Sequence, residues 1–259
     1  MLHRKSGEEK EFSGVLSIVI PTYNERENLP ILVQKIVASL GSIPHEVIVV
    51  DDNSPDGTGD VAESLGSQFP ITVVRRPGKL GLASAVICGF LKAKGENFCV
   101  MDADLSHDPG ILPPMVAALN SGFDLVIGSR YVPGGGMKGW PKFREWGSRI
   151  AISLARPITP VRDATSGYFA LKRSILENVH LDPLGFKIGL EIFVKGNYQR
   201  FKEIPYIFTD RQAGKSKLNQ KEVSNYLRHL FRLYRWRFLG GSSHKNNAHH
   251  NEKNTQPAN

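Results

Sequence analysis

The first half of the chain repeats one pattern that few folds accept. Short β-branched or apolar runs, "VLSIVI" (15–20), "EVIVV" (46–50), "ITVV" (71–74), "NFCVMD" (97–102) and "DLVIGS" (124–129), alternate with longer segments of helical periodicity. The first of those segments, "ENLPILVQKIVASLGS", has apolar residues at Leu29, Leu32, Val33, Ile36, Val37 and Leu40, with Gly41 to close it. Helices are likewise expected through "VAESLGSQF", "LASAVICGFLKAKG" and around "ILPPMVAALNSG". Strands that read as continuous apolar runs, each followed by a helix, require a parallel sheet covered on both faces. Right-handed crossovers then give an α/β, doubly wound, Rossmann-like domain with a mostly parallel sheet over residues 13–135. Pro21 is expected to end the first strand.

In such sheets ligands bind outside the carboxyl ends of the strands. Polar residues gather there: "PTYNE" after the first run, "DDNS" after the second, "DAD" after the fourth and "SRY" after the fifth. Within "VMDADLSHDP", Asp102 and Asp104 stand one residue apart, and two like charges so close need a counter-charge. Taken alone, Asp-x-Asp is equally a strand end followed by a helix cap. In this setting both carboxylates suit a divalent cation whose oxygen ligands include a diphosphate, with the Ser106 hydroxyl as a further hard ligand. His107 is expected to be an exposed loop residue, Asp51 to support its turn, and Asn24 is a candidate helix cap. The turn after the first strand lacks G-x-G-x-x-G, and "GKLGLASA" lacks the P-loop order, so neither a dinucleotide enzyme nor an NTPase is supported. A metal-bridged sugar nucleotide remains.

The second half is less regular. "GGGMKGWP" reads as a flexible loop, and "KFREWGSRIAISLARPI" as a helix with an apolar stripe through Phe143, Trp146, Ile150 and Leu154. "TSGYFALKRSIL" is expected as strand, turn and helix, and "EIPYIFTDR" as one strand. The expected layout is a polar extension (1–13), a catalytic domain (14–220), a basic amphipathic interfacial helix (221–239) and a disordered polar tail (240–259). In that helix Val223, Leu227, Leu230 and Tyr234 share helical spacing, while Arg228, Arg232 and Arg235 share another face. Five Lys/Arg against one Glu there supply half of the net charge of +8. Such a helix is attracted to anionic headgroups, and it equally fits one docked on the domain or on a membrane partner subunit. No run approaches the roughly 20 apolar residues of a membrane span, and the polar first residues show no secretory signal. A cytoplasmic protein, peripheral on the cytoplasmic face of a membrane, is expected, with Cys88 and Cys99 as small core residues and no nucleic-acid partner.

"IVIPTYNERENL", "VIVVDDNSPDGT", "GKLGLASA", "MDADLSHDP", "LVIGSRYVPGGG", "TSGYFALKR" and "DRQAGKSKL" together resemble the motifs of the inverting, GT-A-fold glycosyltransferases of family 2, in order over residues 15–220. The likeness is nearest to members that transfer mannose from GDP-mannose to a dolichyl or polyprenyl monophosphate. It implies that Pro21, Tyr23 and Glu25 form a nucleoside wall, with Val50 and Asp52 at the base. Asp102, Ala103 and Asp104 would meet the sugar nucleotide, and Asp102, Asp104 and Ser106 (often Gln in such members) would hold Mg²⁺ or Mn²⁺, Ser106 directly or through water. Arg130, Arg144, Arg211 and Lys217 would surround two phosphates, with Ser148 facing the acceptor; catalysis is assigned to Asp104, Arg130, Arg144 and Arg211. Two alternatives keep other substrates or no chemistry: a UDP-sugar donor with a lipid-phosphate or glycan acceptor, and a non-catalytic basic protein that binds membrane or nucleic acid.

Overall fold

The computed structural model describes residues 14–182, 184–185, 187–210 and 220–240. A seven-stranded sheet runs in the order β3-β2-β1-β4-β7-β5-β8. Its strands are β1 (Leu16–Thr22), β2 (His45–Asp51), β3 (Ile71–Arg75), β4 (Asn97–Val100), β5 (Leu125–Ser129), β7 (Phe169–Lys172) and β8 (Phe201–Pro205). Every pairing is parallel except those of β7, which lies antiparallel between β4 and β5. A separate two-stranded ribbon joins β6 (Gly136–Lys138) to β9 (Ile207–Thr209).

Alternation along β1 shows why the sheet is sandwiched. Leu16, Ile18 and Ile20 point to one face, where they pack with Leu29, Leu32, Val33 and Ile36 of α1 (Asn28–Leu40) and with Leu112, Met115 and Leu119 of α4 (Leu112–Asn120). Val19 points to the other face, towards Ala83, Val86 and Phe90 of α3 (Leu82–Lys92) and Ile192 and Phe193 of α6 (Ile188–Lys195). Each such large side chain contributes about 1.5–3 kcal/mol on leaving water. Gly89 permits the close seat of α3, since a Cβ there would meet Val19 Cγ1 at 2.3 Å.

Several expectations change. β1 runs through Pro21 to Thr22, because β4 ends at Val100 opposite Val19 and leaves no bond there for the proline nitrogen to forfeit. Asn24 does not cap α1: it sits in a left-handed turn (φ 59°), and Glu27 holds the cap position. Helix α2 (Thr58–Leu65) begins before its apolar run, the Asp56 carboxylate accepting from Thr58 N and Oγ1. "TSGYFALKRSIL" ends in a 3₁₀ turn over Arg173–Leu176, and "EIPYIFTDR" divides at Tyr206 into β8 and β9, which belong to different sheets.

The apolar stripe of α5 (Lys142–Ala155) does not enter the core. Phe143 and Trp146 are 78% and 70% exposed, and Ile152 and Ala155 are the buried residues. Against this helix lies α7 (Gln220–Arg235), whose Tyr226 and Tyr234 hydroxyls donate to the Ala151 and Leu154 carbonyls at 2.6 and 2.8 Å. Leu230 and Leu233 anchor α7 in a third core cluster with Ala155, Ile158, Leu190 and Val194. The basic helix is thus docked by one face, while Val223, Leu227 and Phe231 remain exposed. Residues 241–259 of the expected tail lie outside the described residues. Among the described residues no helix is long and apolar enough to cross a membrane.

Candidate active site

The carboxyl ends of β1, β4, β5 and β8 and the leading end of β7 meet at one edge of the sheet, around a cavity of about 700 Å³. The strand order reverses between β1 and β4, which makes their ends the switch point where a ligand is expected. Pro21, Tyr23 and Glu25 line the cavity from β1 and its turn, and Asp102, Ala103 and Asp104 line it from the loop after β4. The Lys79 ammonium lies 3.8 Å above the Tyr23 ring.

The acid pair is held by its own loop. Ser106 N and Oγ both donate to Asp104 Oδ1, at 3.1 and 2.5 Å, and Leu105 takes a left-handed conformation to close the turn. Ser106 is 2% exposed and does not line the cavity, so its hydroxyl steadies Asp104 instead of facing the cavity. Asp102 keeps about a third of its side chain exposed (32%), whereas Asp104 is buried to 7%. His107 is 2% exposed, not a surface residue, and its ring stacks on Tyr168 at 4.8 Å. Its Nδ1 accepts from Asp102 N at 3.0 Å, and burial lowers its pKa, the nearby Asp102 and Asp104 charges opposing that shift. Among the described residues no three His, Cys, Asp or Glu side chains gather as a metal cluster. Two hard carboxylates beside an open cavity suit a Mg²⁺ or Mn²⁺ ion that takes its other oxygens from a diphosphate and water.

The basic residues are less free than the sequence implies. Arg130, 7% exposed, is clamped by Asp163: Nε and Nη2 donate to its two oxygens at 2.8 and 2.7 Å, and Arg130 N donates to Oδ2 at 3.0 Å. Burial works against both charges, but Asp163 keeps Arg130 protonated and the Arg130 guanidinium in return holds the Asp163 carboxyl low. Thr165 joins this group, its Oγ1 accepting from Arg130 Nη2 at 2.8 Å and lying 3.5 Å from Ser148 Oγ. Arg144 donates to both oxygens of Asp210 at 3.0 Å and lies 4.2 Å from the centre of the Trp140 ring. Arg144 Nε and Trp140 Nε1 are buried with no hydrogen-bond partner among the described residues.

Val50 and Asp52 are not on the cavity wall. Val50 is fully buried in the core beneath α3, and Asp52 pairs with Arg76 at 2.9 Å and accepts from Gly81 N at 3.0 Å, which ties down the loop carrying Lys79. Asp51 accepts from Ser54 N and Thr22 Oγ1 and holds its turn as expected. Arg211 and Lys217 lie outside the described residues. Three participants carry no signal in the sequence reading. Asp163 lies 33 residues from Arg130, Trp140 sits in a loop read only as flexible, and Lys187 stands before α6. Lys187 lines the cavity, donates from Nζ to Thr165 O at 2.9 Å, and has its pKa pushed down to about 8, first by loss of solvent and then by Arg130.

A mixed α/β sheet with an acid pair at its switch point, facing cations across one cleft, is an arrangement suited to an enzyme whose substrate brings metal-bridged phosphates. The chain belongs to glycosyltransferase family 2: the family model described as "Glycosyl transferase family 2" matches residues 17–180. More narrowly, it is 46% identical over 225 residues to dolichol-phosphate mannosyltransferase of Pyrococcus furiosus, a match that covers 85% of this chain and 64% of that relative's length. It is 36% identical over 235 residues to dolichol-phosphate mannosyltransferase of Saccharomyces cerevisiae (86% of this chain, 88% of the relative). It is also 37% identical over 235 residues to polyprenol monophosphomannose synthase of Mycolicibacterium smegmatis (86% and 87%). Glucosyl-3-phosphoglycerate synthase from Mycobacterium tuberculosis, solved with Mn²⁺ and UDP, shares the GT-A fold at a TM-score of 0.64 and 19% identity, over 92% of this chain and 86% of that one.

Proposed function

We propose that this chain transfers mannose from GDP-mannose to a dolichyl or polyprenyl monophosphate at a membrane surface, inverting the anomeric centre. One observation carries the reading. The cavity that begins at Asp102 and Asp104 continues without interruption into an apolar trough between α5 and α7, lined by Phe143, Ile150, Leu154, Val223 and Leu227. A polar nucleotide end and a greasy end in one cavity match a donor and an acceptor of those two chemistries. The exposed apolar residues of α5 and α7, with Phe238 and Leu239 beyond, suit a helix pair resting in headgroups, so that the lipid need not leave the bilayer. The names of the mannosyltransferase relatives above support the sugar and the lipid-phosphate acceptor.

In this reading Tyr23 and Glu25 bound the nucleoside, while Asp102 and Asp104 hold the divalent ion. When bound, that ion supplies Lewis acidity that steadies the leaving diphosphate. Arg130 and Lys187, with the single carboxylate of Asp163 between them, leave this wall of the cavity one positive charge in excess. Arg144, Ser148 and the Trp140 indole N–H face the acceptor phosphate; the buried, unpartnered donors on Arg144 and Trp140 are suited to its oxygens. Arg211 and Lys217 join them by resemblance. A phosphate monoester is largely dianionic above its second pKa of about 6, so its oxygen attacks without a general base. What the residues provide is alignment of two anions about the anomeric carbon. Purified protein with labelled GDP-mannose, Mn²⁺ and a short polyprenyl phosphate should give an organic-soluble β-mannosyl phosphate, and UDP-sugars should not. No transfer from any donor, or an α-linked product, refutes the proposal.

A further inference from the structure

The loop from Asp102 to His107 is closed twice. The purpose of the first closure is evident, since Ser106 holds Asp104. The second closure is the hydrogen bond from the Asp102 main chain to His107 Nδ1 at 3.0 Å. A nitrogen that accepts this bond carries no proton, so the imidazole proton resides on Nε2. Nε2 lies 3.9 Å from Asp102 Oδ2, too far for a hydrogen bond but close enough for the ring to face that carboxylate. The ring cannot swing away. Tyr168 stacks on one face at an interplanar angle of 13°, and Tyr206 and Phe208 meet it edge-on. Tyr168 in turn donates its hydroxyl to the Asp108 carbonyl at 3.0 Å, which pins the residue after His107 to the turn that leads into β7. A buried imidazole therefore addresses Asp102 twice, at the amide and beside the carboxylate, from a socket built by residues that precede β7, join β8 to β9 and lie in β9.

We propose that His107 is a positioning residue for the acid pair: it fixes the main chain of Asp102 and sets its carboxylate to bind the divalent cation. The inference rests on the sugar-nucleotide reading above. It differs from a packing role, in which any ring filling the Tyr168 socket would serve.

Two variants separate these roles in the full chain. His107→Phe keeps a ring for Tyr168 and removes the acceptor; His107→Asn keeps an acceptor near the Nδ1 position and removes the ring. Mn²⁺ is titrated by electron paramagnetic resonance in the presence of GDP, and metal-free GDP affinity is measured separately by calorimetry. His107→Phe should weaken Mn²⁺ binding about 10- to 100-fold, as loss of an outer partner of a metal ligand does, and leave metal-free GDP binding unchanged. His107→Asn should recover most of the Mn²⁺ affinity, and His107→Phe should have no further effect in an Asp102→Asn background. Equal Mn²⁺ binding by His107→Phe and the parent overturns the inference, as does a parallel loss of metal-free GDP affinity. Should His107→Phe fail to fold, His107→Asn decides alone: Mn²⁺ affinity near the parent's supports the role, and a loss of about tenfold or more refutes it. If the parent takes up no Mn²⁺ with GDP, it is the sugar-nucleotide reading that fails.

Discussion

Replacing Asp163 by Ala strips a buried guanidinium of its counter-ion. Asp163 is fully buried and accepts from Arg130 N, Nε and Nη2 and from Thr165 Oγ1. Among the described residues Arg130 then retains only the Thr165 hydroxyl as a side-chain hydrogen-bond partner, and it cannot shed its proton, because a guanidinium stays charged at any ordinary pH. Removing one member of such a pair costs about 3–5 kcal/mol, because the remaining charge stays desolvated. At roughly 2–4 °C per kcal/mol for a chain of this size, the melting temperature should fall by about 6–20 °C. Replacing both partners, as Arg130→Met with Asp163→Leu, should restore most of that stability, since neither charge is then stranded. Transfer activity should be lost in both proteins. Differential scanning calorimetry and chemical denaturation of the single and double variants measure the effect. A single Asp163→Ala variant that melts within a degree or two of the parent, or a double variant no more stable than it, would show that the pair is not the internal fastening described.

Leu227 and Ile150, both 48% exposed on the walls of the trough, can be changed to Glu without harm to folding. The expected result is unaltered melting but transfer to long polyprenyl phosphates reduced about tenfold or more, with short water-dispersed acceptors largely spared. Equal losses on both acceptors would argue against the trough. Lys187 carries its charge below about pH 8 and sheds it above, so GDP binding without metal should weaken as pH rises through that value. Lys187→Met should flatten that pH profile, and a parent profile that is already flat would refute the assignment. The same depressed pKa makes the folded state gain stability as pH rises from about 8 to the ordinary lysine range and lose it as pH falls back to about 8, a dependence that Lys187→Met should remove. Chelation of divalent ions should abolish transfer and leave the fold unchanged by circular dichroism, because no described element depends on a metal for its packing.

The sheet was readable because burial on both faces leaves a local trace: β1, β2 and β5 are built on the apolar runs Ile18–Ile20, Val47–Val50 and Leu125–Ile127, and polar residues that follow β1 and β4 line the site. Asp102 and Asp104 stood out because adjacent carboxylates after such a run need an explanation. Pairing, by contrast, is a long-range property. Nothing near Arg130 announces that Asp163 will neutralise it, nor does anything near Asp52 announce Arg76. His107 looked like a loop residue because its burial comes from Tyr168, Tyr206 and Phe208, which arrive from strands far along the chain. On α5 the periodicity was legible but its destination was not. An apolar stripe states that a helix has one greasy side without stating whether protein or lipid will meet it.

The backward strand at the centre of the sheet has a metric consequence. Since β7 stands between β4 and β5, the ends that carry Asp102 and Arg130 are separated by two inter-strand spacings, about 10 Å, not one. A single spacing of about 5 Å would bring acid and base into contact and leave them to neutralise each other. Twice that width leaves the turn before β7 between acid and guanidinium, and there Gly167 presents no side chain to close the gap: a Cβ on it would stand 3.8 Å from Asp102 Oδ2.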